Sequence, residues 1–374
     1  MSGNSLQKLT LSLWPISRSA SKLLLMLAIA FYTFGLTGAG VILMMYAMSD
    51  MAVARDSAAT HGISAQNSSR LGGLSILIIF SVFVFLMFYL SPYTPGVLRE
   101  EFWGYFWGSV GVCCLLGLAE DLKADYLSPA VRLGLKFVVF GAFLWVAPVM
   151  VPSDIGIPGV DRLLSINWLA WALCTVFCVG FINAFNMSDG ANGLVPGICL
   201  CAFIVLFHVY GRPAEGILVF ACSMFLLFNV VSGWFFLGDT GSYGLGAIIV
   251  SYGLLGVSQG DFSAGFMACL VAYPCLDFIY SLLRRLAAGR SPFKPDNGHL
   301  HNRLHDFYKP FFRSKGLPNS LTGLTISGLT AGLTLMLYLL ECVSITSNLW
   351  FALFALEILL YVSAIRVLAK RQAS

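Results

Sequence analysis

The chain has 374 residues, of which 58% are hydrophobic and only 11% charged, with a net charge of +4 and a mean hydropathy of +0.83. A soluble domain carries roughly 25% charged residues, so the two soluble domains that length alone would suggest are excluded. The small net charge gives no reason to expect a nucleic-acid partner; the distribution of basic residues matters more.

Residues 1–22 form a polar, Ser-rich tail without the compact apolar core and cleavage site of a signal peptide. Eleven apolar stretches follow, near 23–48, 71–90, 103–119, 131–151, 167–186, 194–210, 214–232, 242–258, 263–283, 320–342 and 346–368. Each approaches the ~17–25 residues that cross a bilayer as a helix. Only helices satisfy their own backbone in lipid without closing into a barrel. The expectation is therefore an all-α, polytopic helical bundle. Its transmembrane domain is 23–368, with a cytoplasmic loop at 284–319 and a cytoplasmic tail at 369–374. The ten cysteines lie in apolar runs with no metal or disulfide spacing and read as small buried hydrophobes.

With eleven spans, the loops after the odd-numbered spans and the C-terminal tail share one face. That face carries 15 of the 22 Lys and Arg residues, the other face 6, and Lys136 falls inside the fourth span. The excess marks the first face as cytoplasmic.

Five polar motifs fall on that face. Arg70-Leu71-Gly72-Gly73 enters the second span, and Glu120-Asp121 leaves the third. Adjacent carboxylates at a membrane boundary raise each other's pKa or attract a cation. Arg132 and Lys136, four residues apart, share a face of the fourth span. Asn183-Ala184-Phe185-Asn186-Met187-Ser188-Asp189-Gly190-Ala191-Asn192-Gly193-Leu194 follows the fifth span. Gly238-Asp239-Thr240-Gly241-Ser242 follows the seventh, where Asp239 is a hard-cation ligand by type and backbone N–H groups lie at hand for a phosphate. A basic loop after the ninth span contains His299-Leu300-His301-Asn302-Arg303. Read singly, each is also an anchor or a capped turn. Together they supply acids, amides, glycines, histidines and cations at one membrane boundary, which suits a phosphate-bearing ligand with a divalent cation. Asp277, late in the ninth span, is expected to pair with Arg284 or Arg285.

The order Arg-x-Gly-Gly, acidic pair, Asn-Ala-x-Asn-x-x-Asp-Gly-x-Asn-Gly-Leu, Gly-Asp-Thr-Gly-Ser, Pro-x-x-Asp and His-x-His resembles the polyprenyl-phosphate N-acetylhexosamine-1-phosphate transferases over residues 70–305. The resemblance is to the bacterial sugar-phosphate branch of this glycosyltransferase 4-like membrane family. It implies transfer of an N-acetylhexosamine 1-phosphate from a UDP-N-acetylhexosamine to undecaprenyl phosphate, with release of UMP. That reaction begins lipid-linked cell-surface glycans such as O-antigen at the inner face of the bacterial cytoplasmic membrane. Membrane lipids surround the protein, and a homodimer is the assembly the resemblance suggests. Mg²⁺ is the implied cofactor, with Mn²⁺ as the alternative. Asp239 and Asp121 are the implied metal residues, and Glu120, Asp121, Asp239 and His299 the implied catalytic set. Arg70, Gly72, Lys136, Asn183, Asn186, Asp189, Asn192, His301 and Arg303 are the implied substrate-binding set.

This chain departs from the common pattern in three places: Glu120 replaces the first Asp of the acidic pair, Asn192 replaces an Asp, and Asn302 replaces a further His. Two other readings follow the same composition: a catalytically inactive relative, and a lipid or polyprenyl-phosphate transporter. Against a transporter stands the one-sidedness of the motifs: alternating access needs a midplane site, and the sequence has few mid-span charges apart from Lys136, Asp277, Glu341 and Glu357.

Overall fold

A computed structural model describes residues 18–51, 54–56, 68–90, 101–124, 126–289, 297–314 and 316–373. Most of the polar tail and the stretch 290–296 of the basic loop lie outside the described residues. The chain opens with α1 (Arg18–Asp50), followed by a two-residue antiparallel pair, β1 (Arg55–Asp56) and β2 (Ser68–Ser69). Everything else regular among the described residues is helical. α2 (Gly72–Leu90), α3 (Glu101–Leu122), α4 (Pro129–Val146) and the short α5 (Pro158–Leu164) come next. They precede α6 (Asn167–Ser188), α7 (Leu194–Tyr210), α8 (Pro213–Ser232) and α9 (Gly238–Gln259). α10 (Ala264–Leu270), α11 (Ala272–Ala287), α12 (Leu300–Tyr308), α13 (Leu317–Ser327), α14 (Leu333–Leu339) and α15 (Leu349–Ala373) complete the bundle.

Nine helices among the described residues are long and apolar enough to cross a bilayer, α13 and α14 counting as one. The other two of the eleven apolar stretches are the 17-residue α7 and the bent pair α10–α11. The stretch 263–283, read as one straight span, is broken: α10 and α11 meet at 79°. Val271 leaves the helical region there (φ −116, ψ 24). Pro274, which has no amide hydrogen to donate, sits in the first turn of α11, where none is needed. α11 buries Asp277, Ser281 and Arg285, spaced four apart, along one face.

α9 is the axis of the fold. Every residue from Thr240 to Gly256 is buried, and α2, α3 and α6 pack around it. Lipid offers helices little hydrophobic drive to associate, so close van der Waals packing between small residues has to hold them. Gly244 accordingly lies against the Cys114 sulfur of α3, and Gly246 against Phe185 of α6. α1 and α15 form the periphery and leave Tyr32, Leu36, Leu359 and Val367 exposed. All ten cysteines are free, and all but Cys342 are buried or partly buried, as small apolar residues would be.

Candidate active site

The site is built where α3 ends and α9 begins. Asp121, 4% exposed, accepts the Asp239 amide on Oδ1 at 2.8 Å, and the Thr240 amide and hydroxyl on Oδ2 at 2.8 and 2.6 Å. It therefore caps α9 from a neighbouring helix, satisfying backbone donors that a helix start leaves orphaned. Gly117, one turn earlier on α3, permits this approach, because a Cβ there would overlap the Asp239 carbonyl. Gly72 belongs to the same wall: its amide donates to the Phe236 carbonyl at 2.9 Å. The first amides of α9 are not left for a phosphate. Instead, Asp121 takes two of them, and Asp189 accepts the third, from Gly238.

Asp239 itself is less enclosed. Its side chain is 23% exposed, with Arg132 3.6 Å from Oδ2. Asn186 Nδ2 donates to its Oδ1 at 2.9 Å and to Ser242 Oγ at 2.9 Å. Arg132 also pairs with Glu120 at 3.1 Å, while Glu120 Oε1 accepts the Leu127 amide. Arg132 thus joins two acids predicted as catalytic without itself being in the predicted set. Its spacing to Lys136 was the signal that could have included it. Asp189, just past the end of α6, is pushed up to about 7, first by burial and then by the charges of Asp239 and Asp121; Arg70 opposes the shift.

Other predicted residues are turned inward. Lys136 is 1% exposed; it donates to Asn183 Oδ1 at 2.8 Å and lies 3.5 Å from the centroid of the Tyr243 ring. This is a buried cation held by an amide and an aromatic face. Asn183 returns its own amide to the Val179 carbonyl at 2.8 Å. Asn192, 5% exposed, belongs to an amide network: its backbone N–H donates to Asn319 Oδ1 at 2.7 Å, and Asn229 donates to its Oδ1 at 3.4 Å. Asn229 in turn accepts the Gly193 amide at 2.7 Å. Position 192 therefore ties the turn after α6 to α8 and α13.

The histidines come from the start of α12. The rings of His299 and His301 stack 5.2 Å apart and 8° from parallel. His301, 4% exposed, packs on the turn after α6, because a Cβ at Gly190 would overlap its Nε2. Asp277 does not make the expected arginine pair: its Oδ2 lies 2.5 Å from His299 Nδ1. Arg284 instead donates to the Gly298 carbonyl at 2.5 Å, and Arg303 Nε to the same oxygen at 3.4 Å. Asp277 and the two arginines lie on the same helix, two turns or ~10–12 Å apart along its axis, which puts both arginines out of easy reach. Of the four charges read as mid-span, Lys136 and Asp277 therefore belong to the polar cluster. Glu341 lies in the turn after α14.

No group of three or more His, Cys, Asp or Glu side chains among the described residues is arranged to hold a metal ion. Asp121, Asp189 and Asp239 do act on one another electrostatically, which makes this corner attractive to a cation. Mg²⁺ asks for little more, because it keeps several waters and takes one or two carboxylates with substrate phosphates.

The sequence profile of glycosyl transferase family 4 matches residues 103–276, which include the acidic pair, the asparagine-rich turn, Asp239 and the break into α11. The chain is 30% identical over 188 residues to an undecaprenyl-phosphate alpha-N-acetylglucosaminyl 1-phosphate transferase of Thermotoga maritima, covering 50% of this chain and 57% of that one. It is 36% identical over 135 residues to a phospho-N-acetylmuramoyl-pentapeptide-transferase of a Synechococcus strain, covering 35% of this chain and 39% of the relative. It is 25% identical over 248 residues to a probable undecaprenyl-phosphate N-acetylglucosaminyl 1-phosphate transferase of Bacillus subtilis, covering 64% and 66%. Each match spans less than two thirds of the relative's length.

Proposed function

From its similarity to glycosyl transferase family 4 and to these relatives, we propose that the chain is a member of that family and transfers an N-acetylhexosamine 1-phosphate from a UDP-sugar to a polyprenyl phosphate, of the undecaprenyl class, at the cytoplasmic face of a bacterial inner membrane. The product would begin a lipid-linked cell-surface glycan. The observation that carries this reading is the meeting of Asp239, Asn186 and Arg132 with a three-acid corner at the start of the buried α9.

In this reaction a lipid phosphate oxygen attacks the β-phosphorus of the UDP-sugar. A P–O bond forms, the bond from the β-phosphorus to the bridging oxygen breaks, and UMP leaves with the electron pair. A lipid phosphate is largely ionised at neutral pH, so proton removal is a small demand. Positioning and charge stabilisation are the larger ones. Asp239 would hold the cation, with Asp121 as a second acid whose oxygens already accept three hydrogen bonds. A bound Mg²⁺, or Mn²⁺, would neutralise diphosphate charge. Arg132 orients Asp239 and Glu120 and adds positive charge beside them. Asn186 fixes the rotamer of Asp239. Lys136 and Asn183 support this wall from behind, while His299, His301 and Arg303 face the phosphates from α12. The shorter histidine motif favours an amino-sugar donor over the muramoyl-pentapeptide donor named for one relative.

The test is to supply purified protein in lipid with UDP-N-acetylhexosamines labelled in the sugar, with and without undecaprenyl phosphate. Label should enter the lipid fraction only with the acceptor and a divalent cation. Turnover of UDP-MurNAc-pentapeptide alone would move the chain to the other branch. No incorporation from any donor would remove the reading.

A further inference from the structure

The motifs mark His299, His301 and Asp277 but not how the rings are held. Asp277 is 1% exposed; its Oδ1 accepts the Leu300 amide at 3.1 Å and the Tyr361 hydroxyl at 2.9 Å, and its Oδ2 lies 2.5 Å from His299 Nδ1. An imidazole nitrogen holds a hydrogen more tightly than a carboxylate oxygen does, so His299 Nδ1 carries the hydrogen between them. Ser281 Oγ lies 3.3 Å from the same nitrogen.

His301 is held the opposite way. Its backbone N–H, which can only donate, lies 3.3 Å from the Tyr273 hydroxyl oxygen, and its Nδ1 lies 2.7 Å from that oxygen. The hydroxyl oxygen accepts the amide, and Nδ1 is the acceptor within reach of the phenolic hydrogen. The ring is neutral, since burial pulls it down to about 4, with the charge on His299 adding to the effect and Asp277 opposing it. A neutral imidazole that accepts at Nδ1 bears its hydrogen on Nε2. That edge faces the Gly190 turn.

We propose that α11 and α15 set the two histidines in complementary hydrogen-bonding states, with Asp277, Tyr273 and Tyr361 as positioning residues. His299 donates through Nδ1 to the Asp277 carboxylate, and His301 carries its hydrogen on Nε2. The two rings, on adjacent parallel planes, then carry their hydrogens on opposite nitrogens. The proposal rests on the phosphoryl-transfer reading above. It gives the C-terminal helix a function in the site, through Tyr361, that no motif marks. Partners behind a ligating or reacting histidine fix its tautomer, and their loss typically lowers activity by ~10- to 100-fold at metal sites.

The test combines spectroscopy and kinetics on the full chain in lipid bilayers. With ¹⁵N in the histidine rings, and His299→Gln and His301→Gln to assign the signals, His301 should show a bare Nδ1 and a protonated Nε2, and His299 a protonated Nδ1. Tyr273→Phe keeps the ring and its packing. It should turn the His301 pattern into a tautomer mixture and lower kcat about tenfold, with KM for the UDP-sugar within about twofold. Asp277→Asn should lower kcat by about 100-fold and alter the His299 signals alone, and Tyr361→Phe should lower kcat by about threefold. A protonated His301 Nδ1, or unchanged signals and kcat in both Tyr273→Phe and Asp277→Asn, would overturn the proposal. The predicted ring states in a protein that turns over no UDP-sugar would uphold the positioning and remove the transferase reading.

Discussion

α9 and α12 each begin on a carboxylate supplied by another helix: Asp121 of α3 for the first, Asp277 of α11 for the second. At α9 the cap and the chemistry are divided between residues. Asp121 is occupied by the helix backbone and Thr240, while the neighbouring Asp239 is partly exposed and braced by Asn186 and Arg132. At α12 one carboxylate does both, accepting the Leu300 amide and the His299 ring. The difference teaches that two buried acids in similar surroundings should fail differently. Loss of one acid at α9 separates stability from activity, whereas loss at α12 couples them through the histidine.

The largest effect should come from Asp239→Asn, which removes the exposed charge and keeps the shape. We expect turnover to fall by about a thousandfold or more, since electrostatic stabilisation is usually the largest catalytic contribution, while the thermal midpoint in detergent stays near wild type. An equal loss of stability would erase the division of labour at α9. Asp121→Asn should give the converse pattern: stability lower by about 1–3 kcal/mol, because α9 amides lose a charged acceptor, with activity falling as the turn loosens. Thermal unfolding of both variants side by side checks this contrast, and an Asp121 variant as stable as wild type would sink it. Gly190→Ala comes next, with about a tenfold loss of turnover, because the added methyl displaces His301. If its kinetics match wild type, the histidines do not approach the α6 turn as described.

The smallest effect is on pH dependence. Asp189 is pushed up to about 7 in the folded protein, against roughly 3.9 for an unfolded aspartate. Its folded form thus holds the proton more tightly. The contribution to stability is fully present below the unfolded value and is lost as pH rises through about 7. Without divalent cations, the thermal midpoint should fall across that window, and Asp189→Asn should flatten the slope. A steeper or unchanged slope in Asp189→Asn would show that Asp189 does not hold its proton more tightly in the folded protein.

What the sequence made legible follows from range. The apolar stretches and the polar turns at their ends are local, so the helical bundle and the residues at the start of α9 could be read directly. The cap from Asp121 could not be, because it joins residues 118 and 119 apart. Asp277 misled for the same reason. Arg284 and Arg285 are near in sequence but two turns away along α11, whereas the side chain meets His299, 22 residues on, and Tyr361, 84 residues on. Asn192 looked like part of a ligand-binding run. Its partners Asn229, Asn319 and Ser320 lie on helices whose approach no local pattern announces. A buried charge there would lack a counterion among those amides, so Asn192→Asp is expected to cost stability before it alters cation dependence.

The central claim is that the acid corner serves phosphoryl transfer and not glycosyl transfer. The nucleotide released from a UDP-N-acetylhexosamine in the presence of undecaprenyl phosphate distinguishes the two, because cleavage between the phosphates gives UMP and cleavage at the sugar carbon gives UDP. UMP is expected, in equal amount with lipid-linked sugar diphosphate, from wild type and at least a thousandfold less from Asp239→Asn. Release of UDP, or UMP release undiminished in Asp239→Asn, would contradict it.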